Sequence, residues 1–170
     1  MANLMYELSV PVMLKTLTNL ISILDQAAQY GVNKKIDPSV LLNARLYPDM
    51  FALARQIQTT TDQAKGGAAR LAGLPVPKYE DTETNIDELK ARVQKTIDFL
   101  KSIQPEHMQS AEHRDITVPL REPVQMKGLP YLQHFVLPNF FFHASMAYAI
   151  LRHNGVEVGK WDFLGKLTNP

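Results

Sequence analysis

The feature that most constrains the fold is a helical repeat of apolar residues in four long segments of the 170-residue chain. The first segment follows Ser9 and Pro11, which suit the cap and the first turn of a helix, and is predicted to end at Gly31. A short helix should follow, with Asp37 as its cap and Pro38 in its first turn. The apolar residues of the first segment recur every three or four positions, as one buried helix face requires: Val10, Met13, Leu14, Leu17, Leu20, Ile21, Leu24 and Ala28.

The other three long helices are predicted over residues 48–73, 86–104 and 129–154, where apolar residues keep the same period. Before the last of them, "DITVPLREPVQMKG" contains two short extended runs, which predict a small β-hairpin with Pro119 on an edge strand. The closing residues should pack back on the helices. The predicted fold is therefore all-α, a single four-helix-bundle domain over residues 1–170 with a β-hairpin insertion before the last helix.

The composition argues against several classes of protein. The formal net charge is +1, from 18 basic and 17 acidic residues, and no basic block predicts a nucleic-acid partner or an anionic membrane surface. Cysteine is absent, which excludes thiolate catalysis, disulfides and cysteine-bound zinc. We expect no membrane span and no secretory signal, because "MANLMYELSV" lacks a basic region followed by an apolar one. The expected location is cytoplasmic.

Two polar residues of the last helix, Asn139 and His143, stand one turn apart on an apolar face. A polar side chain buried without a partner costs about 1–3 kcal/mol, so both should have partners. Pro138 cannot donate to the carbonyl of His134, which leaves an acceptor free and predicts a bend. The face is otherwise formed by Leu132, Val136, Met146, Ala147 and Ile150.

A second polar line lies on the second long helix, at Asp49, Gln56, Thr60 and Gln63. If that helix packs beside the last one, Asp49 or Gln56 can meet Asn139 and His143 in the interior, and an Asp partner would favour a charged imidazole. Three interpretations stay open for these residues. They form a small-molecule pocket, a divalent-metal site, or a polar network that specifies how the helices pack.

Two further features of the last helix bear on function. Tyr148 and Arg152 are four residues apart, so they can share a partner, and Arg152 can bind a ligand carboxylate or pair with Asp162. The run from Phe140 to Phe142 covers more than one face of a helix. A homodimer would bury the excess, and so would packing of the C-terminal tail.

Three segments, "ARLYPDMFALARQ", "RLAG" and "LPNFFFHASMAYAILRHNGVEVGKWDFLG", closely resemble an uncharacterised bacterial family grouped with the DinB/YfiT-like four-helix bundles. The resemblance covers nearly the whole chain and implies an up-down-down-up bundle, commonly a homodimer. Members of the wider superfamily typically hold zinc or nickel with three histidines, and some are thiol-transferases or isomerases that use low-molecular-weight thiols.

In this chain the two metal-binding positions on the last helix fall on Asn139 and His143, and the position on the second long helix falls near Asp49. The sequence thus departs from the superfamily pattern at two of three ligands, which argues against tight metal binding. Three hypotheses follow: a dimeric bundle with a polar inner pocket formed by Asp49, Gln56, Asn139 and His143; a divalent-metal enzyme with a degenerate site at Asp49, Asn139 and His143; or a scaffold whose buried polar residues serve packing alone.

Overall fold

The computed structural model describes residues 3–167, which form a helical bundle with one β-hairpin. The strands are β1 (Asp115–Val118) and β2 (Val124–Lys127), and short 3₁₀ turns span Pro105–Met108 and Ala111–His113. A π-helical turn spans Leu132–Val136. The α-helices are, in chain order, α1 (Leu4–Glu7), α2 (Val10–Lys34), α3 (Pro38–Asn43), α4 (Leu53–Ala72), α5 (Ile86–Ser102), α6 (Gly128–Tyr131), α7 (Leu137–His153) and α8 (Lys160–Leu164).

Helices α2, α4, α5 and α7 form the bundle, and each packs against two of the others. Helices α4 and α5 run in the same direction. Gln58 near the start of α4 bonds Glu83 just before α5, whereas Leu71 at the far end of α4 accepts a bond from Arg114, beyond the end of α5. The order is therefore up-down-down-up, as the family resemblance implies, and residues 73–85 cross between the two parallel helices.

Helix α2 extends beyond the predicted end at Gly31 and finishes at Lys34, where Lys35 adopts a left-handed conformation with φ of 54°. An 18-residue window within Leu4–Lys34 has a mean hydropathy of 1.3, which would allow a membrane span by length and composition alone. That is weak evidence, because a core helix has the same composition, and α2 packs against α5, α7 and α8. Its packing is that of a core helix in a globular bundle.

Helix α4 begins at Leu53, five residues later than predicted. The backbone N–H of Leu53 donates to the carbonyl of Ala44, and the guanidinium of Arg45 donates to the carbonyl of Met50. These bonds hold residues 44–52 as an irregular connection, and Asp49 lies in a turn within it. The sequence pattern placed Asp49 on the helix, which is wrong because the apolar period runs on through a segment that is not helical.

The predicted hairpin is confirmed, with Asp115 opposite Lys127 in an antiparallel pair and Pro119 just after β1 rather than within it. The predicted packing of the tail is also confirmed. In that tail, Asp162 accepts a hydrogen bond from Gln26 of α2 at 2.9 Å and does not pair with Arg152.

The last long helix of the prediction is a continuous helical run composed of α6, the π-helical turn and α7. The N–H of Leu137 donates to the carbonyl of Leu132, five residues back, next to Pro138, which has no N–H. On the facing helix, Gly67 approaches this turn so closely that a Cβ atom there would lie 2.4 Å from Cγ1 of Val136. The π-helical turn therefore packs closely against Gly67 of α4.

Candidate functional site

Of the inter-helix contacts predicted among the candidate residues, the one between His143 and Gln56 is present. Nδ1 of His143 lies 2.7 Å from Oε1 of Gln56, and the amide of Gln56 donates in turn to the carbonyl of Phe51 at 3.3 Å. Because this second bond orients the amide nitrogen away from the imidazole, Oε1 faces the ring and must accept, so Nδ1 carries the hydrogen. Gln56 itself is 1% exposed, so the orienting group is inside the core.

The arrangement favours a neutral imidazole. Partial burial lowers the pKa of His143 below its usual range, and the nearby positive charge of Arg55 lowers it further. With Nδ1 protonated, the neutral ring leaves the lone pair of Nε2 as an acceptor. Of the two partners that the sequence allowed, Gln56 is the one present, so the charged imidazole that an aspartate would favour does not arise.

Nε2 of His143 has no hydrogen-bond partner among residues 3–167, yet it is not an enclosed, unsatisfied nitrogen. The ring is half-buried, at the edge of the core. The histidine therefore offers one fixed nitrogen to the protein interior and a second one that solvent can reach. The site lies closer to the surface than the inner pocket predicted from the sequence.

Two phenylalanine rings flank this imidazole. Phe51 stacks on it, with ring centroids 6.1 Å apart and an interplanar angle of 16°. Phe142 approaches edge-on, with centroids 5.1 Å apart. Phe51 and Phe142 are 46% and 52% exposed, so both present ring surface to solvent next to the imidazole. Exposed aromatic rings and an oriented acceptor are groups that a small aromatic ligand can contact.

Asn139 lies one turn before His143 but turns its amide toward its own helix. Its Nδ2 donates to the carbonyl of Phe135 at 2.7 Å, within the π-helical turn, so it satisfies an acceptor freed by the altered bonding there. The sequence predicted such a free acceptor at the carbonyl of His134, one residue away. Asn139 bonds neither His143 nor Gln56, and its part is to support the turn.

The remaining candidate residues lie away from this imidazole. Asp49 is exposed in the turn before α4 and makes no hydrogen bond to His143 or Asn139. Tyr148 contacts the C-terminal tail, where its hydroxyl donates to the carbonyl of Val158 at 3.4 Å and its ring meets Phe163. Arg152 is exposed near the end of α7. Asp49, Tyr148 and Arg152 do not join the His143–Gln56 pair.

These side chains do not fit a resident zinc or nickel ion. The cluster offers one imidazole, and its second polar side chain on α7 is Asn139, an asparagine, which is a poor ligand for such metals. Within residues 3–167, no group of three His, Cys, Asp or Glu side chains could hold a metal ion. A divalent-metal site at Asp49, Asn139 and His143 therefore has little support, and it stays a prediction.

The family model described as "Domain of unknown function (DUF1993)" matches residues 5–164. The chain belongs to this family. A crystal structure of a DinB family member protein from Shewanella denitrificans is similar to this DUF1993 chain, with 40% sequence identity and a TM-score of 0.91. The match covers 97% of this chain and 94% of the other. The comparison with curated proteins gave no match. These findings confirm the DinB-like four-helix fold that the sequence motifs indicated.

Phe51 and Arg55 are the residues of this DUF1993 site that the sequence interpretation missed. Both stand in "MFALARQ", four positions apart, and the guanidinium carbon of Arg55 lies 5.8 Å from the centroid of the Phe51 ring. An aromatic residue and an arginine at this spacing commonly pair. That spacing is the signal that would have placed Phe51 and Arg55 together near Gln56.

Proposed function

We propose that this protein binds a small organic ligand at His143. The ligand donates a hydrogen bond to Nε2 of the neutral imidazole, and its apolar part contacts the rings of Phe51 and Phe142. The proposal is supported above all by the asymmetry of His143, in which Nδ1 is held by buried Gln56 while Nε2 has no partner among the described residues. An acceptor whose orientation is fixed before binding loses little entropy when a ligand arrives.

The alternative roles have less support. A pure packing role needs only the bond from Nδ1 to Gln56, and it does not account for the second nitrogen or for the exposed rings beside it. A divalent-metal thiol-transferase would need further ligands that this cluster does not supply. Both alternatives predict different outcomes in the binding experiment.

The test uses phenol, which combines one hydroxyl donor with one aromatic ring. Binding is monitored through the side-chain and backbone NMR signals of the protein. We expect saturable shifts at His143, Phe51 and Phe142. They should disappear in His143→Phe, which keeps an aromatic ring but has no Nε2. The matched control is His134→Phe, which alters an exposed histidine of the same helical run and should bind phenol like the wild type.

Other outcomes would overturn the proposal. If phenol produces no saturable shift, or if His143→Phe binds it equally well, the His143–Gln56 pair serves packing alone. Parallel titrations with zinc and nickel address the metal alternative. Stoichiometric binding that is lost in His143→Phe would favour that alternative over the proposal.

We also propose that the protein is a homodimer that covers Phe142. The three phenylalanines of α7 support it, because Phe140 is buried and Phe141 is partly buried, while Phe142 is 52% exposed. Sedimentation at high micromolar concentration should show a dimer for the wild type and a monomer for Phe142→Asp. A monomeric wild type would contradict this part of the proposal.

A further inference from the structure

Arg55 is tethered at one end of its guanidinium. Its Nη1 donates to the carboxylate of Asp81 and, at 3.4 Å, to Oε1 of Gln58. Asp81 is itself anchored, because its other oxygen lies 2.9 Å from the guanidinium of buried Arg92. Arg55 therefore has a defined position, although its side chain is 47% exposed.

The other edge of this guanidinium is unoccupied among the described residues. Nε and Nη2 of Arg55 make no hydrogen bond within residues 3–167, whereas both recorded bonds use Nη1. The Nε–Nη2 edge presents two parallel N–H groups, which match the two oxygens of a carboxylate. A tethered arginine with this edge free can bind a carboxylate with less loss of side-chain freedom than an untethered one.

Arg55 and His143 share one neighbour, the ring of Phe51. The guanidinium carbon of Arg55 lies 5.8 Å from that ring's centroid, and the centroid of His143 lies 6.1 Å from it. The charge of Arg55 is also one cause of the lowered pKa of His143, second to burial, so it acts on the imidazole despite its pairing with Asp81. The guanidinium carbon of Arg55 and the imidazole centroid of His143 are therefore at most about 12 Å apart.

We infer that the ligand of this site is a small carboxylic acid, bound through its carboxylate by the Nε–Nη2 edge of Arg55 and through a separate donor by Nε2 of His143. This inference rests on the proposed function and adds the chemical class of the ligand. A single ring with a hydroxyl at one end and a carboxylate at the other has the required polar groups. Arg55 is then the residue that selects acids over neutral molecules of the same shape.

The experiment compares 4-hydroxybenzoate with 4-hydroxybenzamide, which has a similar shape and keeps the hydroxyl but carries no charge. Calorimetric or NMR titration of the wild type should show the acid binding at least about tenfold more tightly, as a charge-assisted, bidentate contact provides. Arg55→Gln should remove this preference, because it should weaken binding of the acid much more than binding of the amide. Arg55→Lys keeps the positive charge but lacks the two parallel N–H donors, so it should retain only part of the preference for the acid.

Arg152→Gln is the matched control, because it removes an exposed arginine near the end of α7 and should keep the full preference for the acid. Folding of Arg55→Gln should be retained, since Asp81 keeps its pairing with Arg92. If the wild type binds the acid and the amide equally, the inference is wrong while the proposed function stands. The same holds if the preference survives Arg55→Gln. If phenol binds but neither probe does, the inference is also wrong; if phenol does not bind either, the proposed function itself fails.

Discussion

Gln56 accepts a hydrogen bond from Nδ1 of His143 across 2.7 Å, and this bond joins α4 to α7 at the edge of the core. The Gln56 amide is buried and the His143 imidazole is half-buried. The bond therefore uses a buried amide to orient an imidazole that solvent can reach. This direction of support, from the core outward, is what a preorganised binding site requires.

Gln56→Leu should destabilise the protein by about 1–2 kcal/mol, because Nδ1 of His143 and the carbonyl of Phe51 each lose a hydrogen-bond partner. The leucine side chain is similar in size to glutamine, so the substitution leaves no large cavity. Urea denaturation measures the change. The control is Gln63→Leu, the same substitution on the same helix at a partly exposed residue without a recorded hydrogen bond. Equal losses in the two variants would show that the Gln56 bonds contribute nothing specific.

The stability of the protein should fall as pH drops below the usual histidine range. The pKa of folded His143 is lowered by burial and by Arg55, so between that value and about 6.5 the unfolded chain binds more protons than the folded one. This contribution is present above the unfolded pKa and is lost as pH falls through the folded pKa. Gln56 carries no charge that would oppose the effect.

Free energies of unfolding at pH 7.5 and about pH 5 measure this effect. The wild type should lose more stability over the interval than His143→Phe, because the variant has no imidazole to protonate. Equal losses in both proteins would mean that His143 titrates alike in the folded and unfolded chains.

Two adjacent glycines of α4 should respond differently to alanine. A Cβ on Gly67 would lie 2.4 Å from Val136 in the π-helical turn, so Gly67→Ala should force α4 and α7 apart and cost about 1–3 kcal/mol. A Cβ on Gly66 meets the mobile end of Arg70, so Gly66→Ala should be neutral or stabilising by up to about 1 kcal/mol. Thermal unfolding compares them. Equal effects would mean that the close helix contact does not limit the packing.

Arg92 should be the charged residue on which stability depends most. Its side chain is 3% exposed and pairs with Asp62, Asp81 and Glu83, and it anchors the long connection before α5. Arg92→Met should lower the free energy of unfolding by about 3 kcal/mol. This is the lower end of the range for breaking a buried ion pair, because Asp62 and Asp81 remain partly solvated.

The matched control for this prediction is Lys90→Met on the same helix. Lys90 also pairs with two carboxylates, but its side chain is 28% exposed, so the loss should stay below about 1 kcal/mol. Urea denaturation of both variants provides the comparison. A cost for Arg92→Met no larger than for Lys90→Met would show that burial adds nothing to the pairing.

The fold was largely predictable, because apolar spacing marks helices directly. Asp37 accepts the expected capping bond, whereas Ser9, the other predicted cap, makes no side-chain capping bond. The contact of Gln56 with His143 was also predictable, since a buried polar residue on one helix needs a partner on its neighbour. The role of Asp49 was not. It depends on where α4 begins. The bonds from Leu53 to Ala44 and from Arg45 to Met50 determine that start, and the spacing of apolar residues does not reveal them.

The aromatic and charged surroundings of His143 were harder to predict. Phe51 lies in an irregular connection, so its stacking on His143 arises from the fold of residues 44–52 rather than from a repeat. Arg55 faces solvent, and its position is fixed by Asp81 from the crossover. Such contacts join segments that are remote in sequence, and a single chain carries no signal for the pairing.

The ¹⁵N chemical shifts of the His143 side chain at neutral pH test the central claim most directly. In the free protein we expect Nδ1 to be protonated and Nε2 to be unprotonated. On addition of phenol, the Nε2 resonance should move as the nitrogen accepts a hydrogen bond, while Nδ1 stays bonded to Gln56. A proton on Nε2 in the free protein, or an Nε2 resonance that does not respond to saturating phenol, would contradict the account.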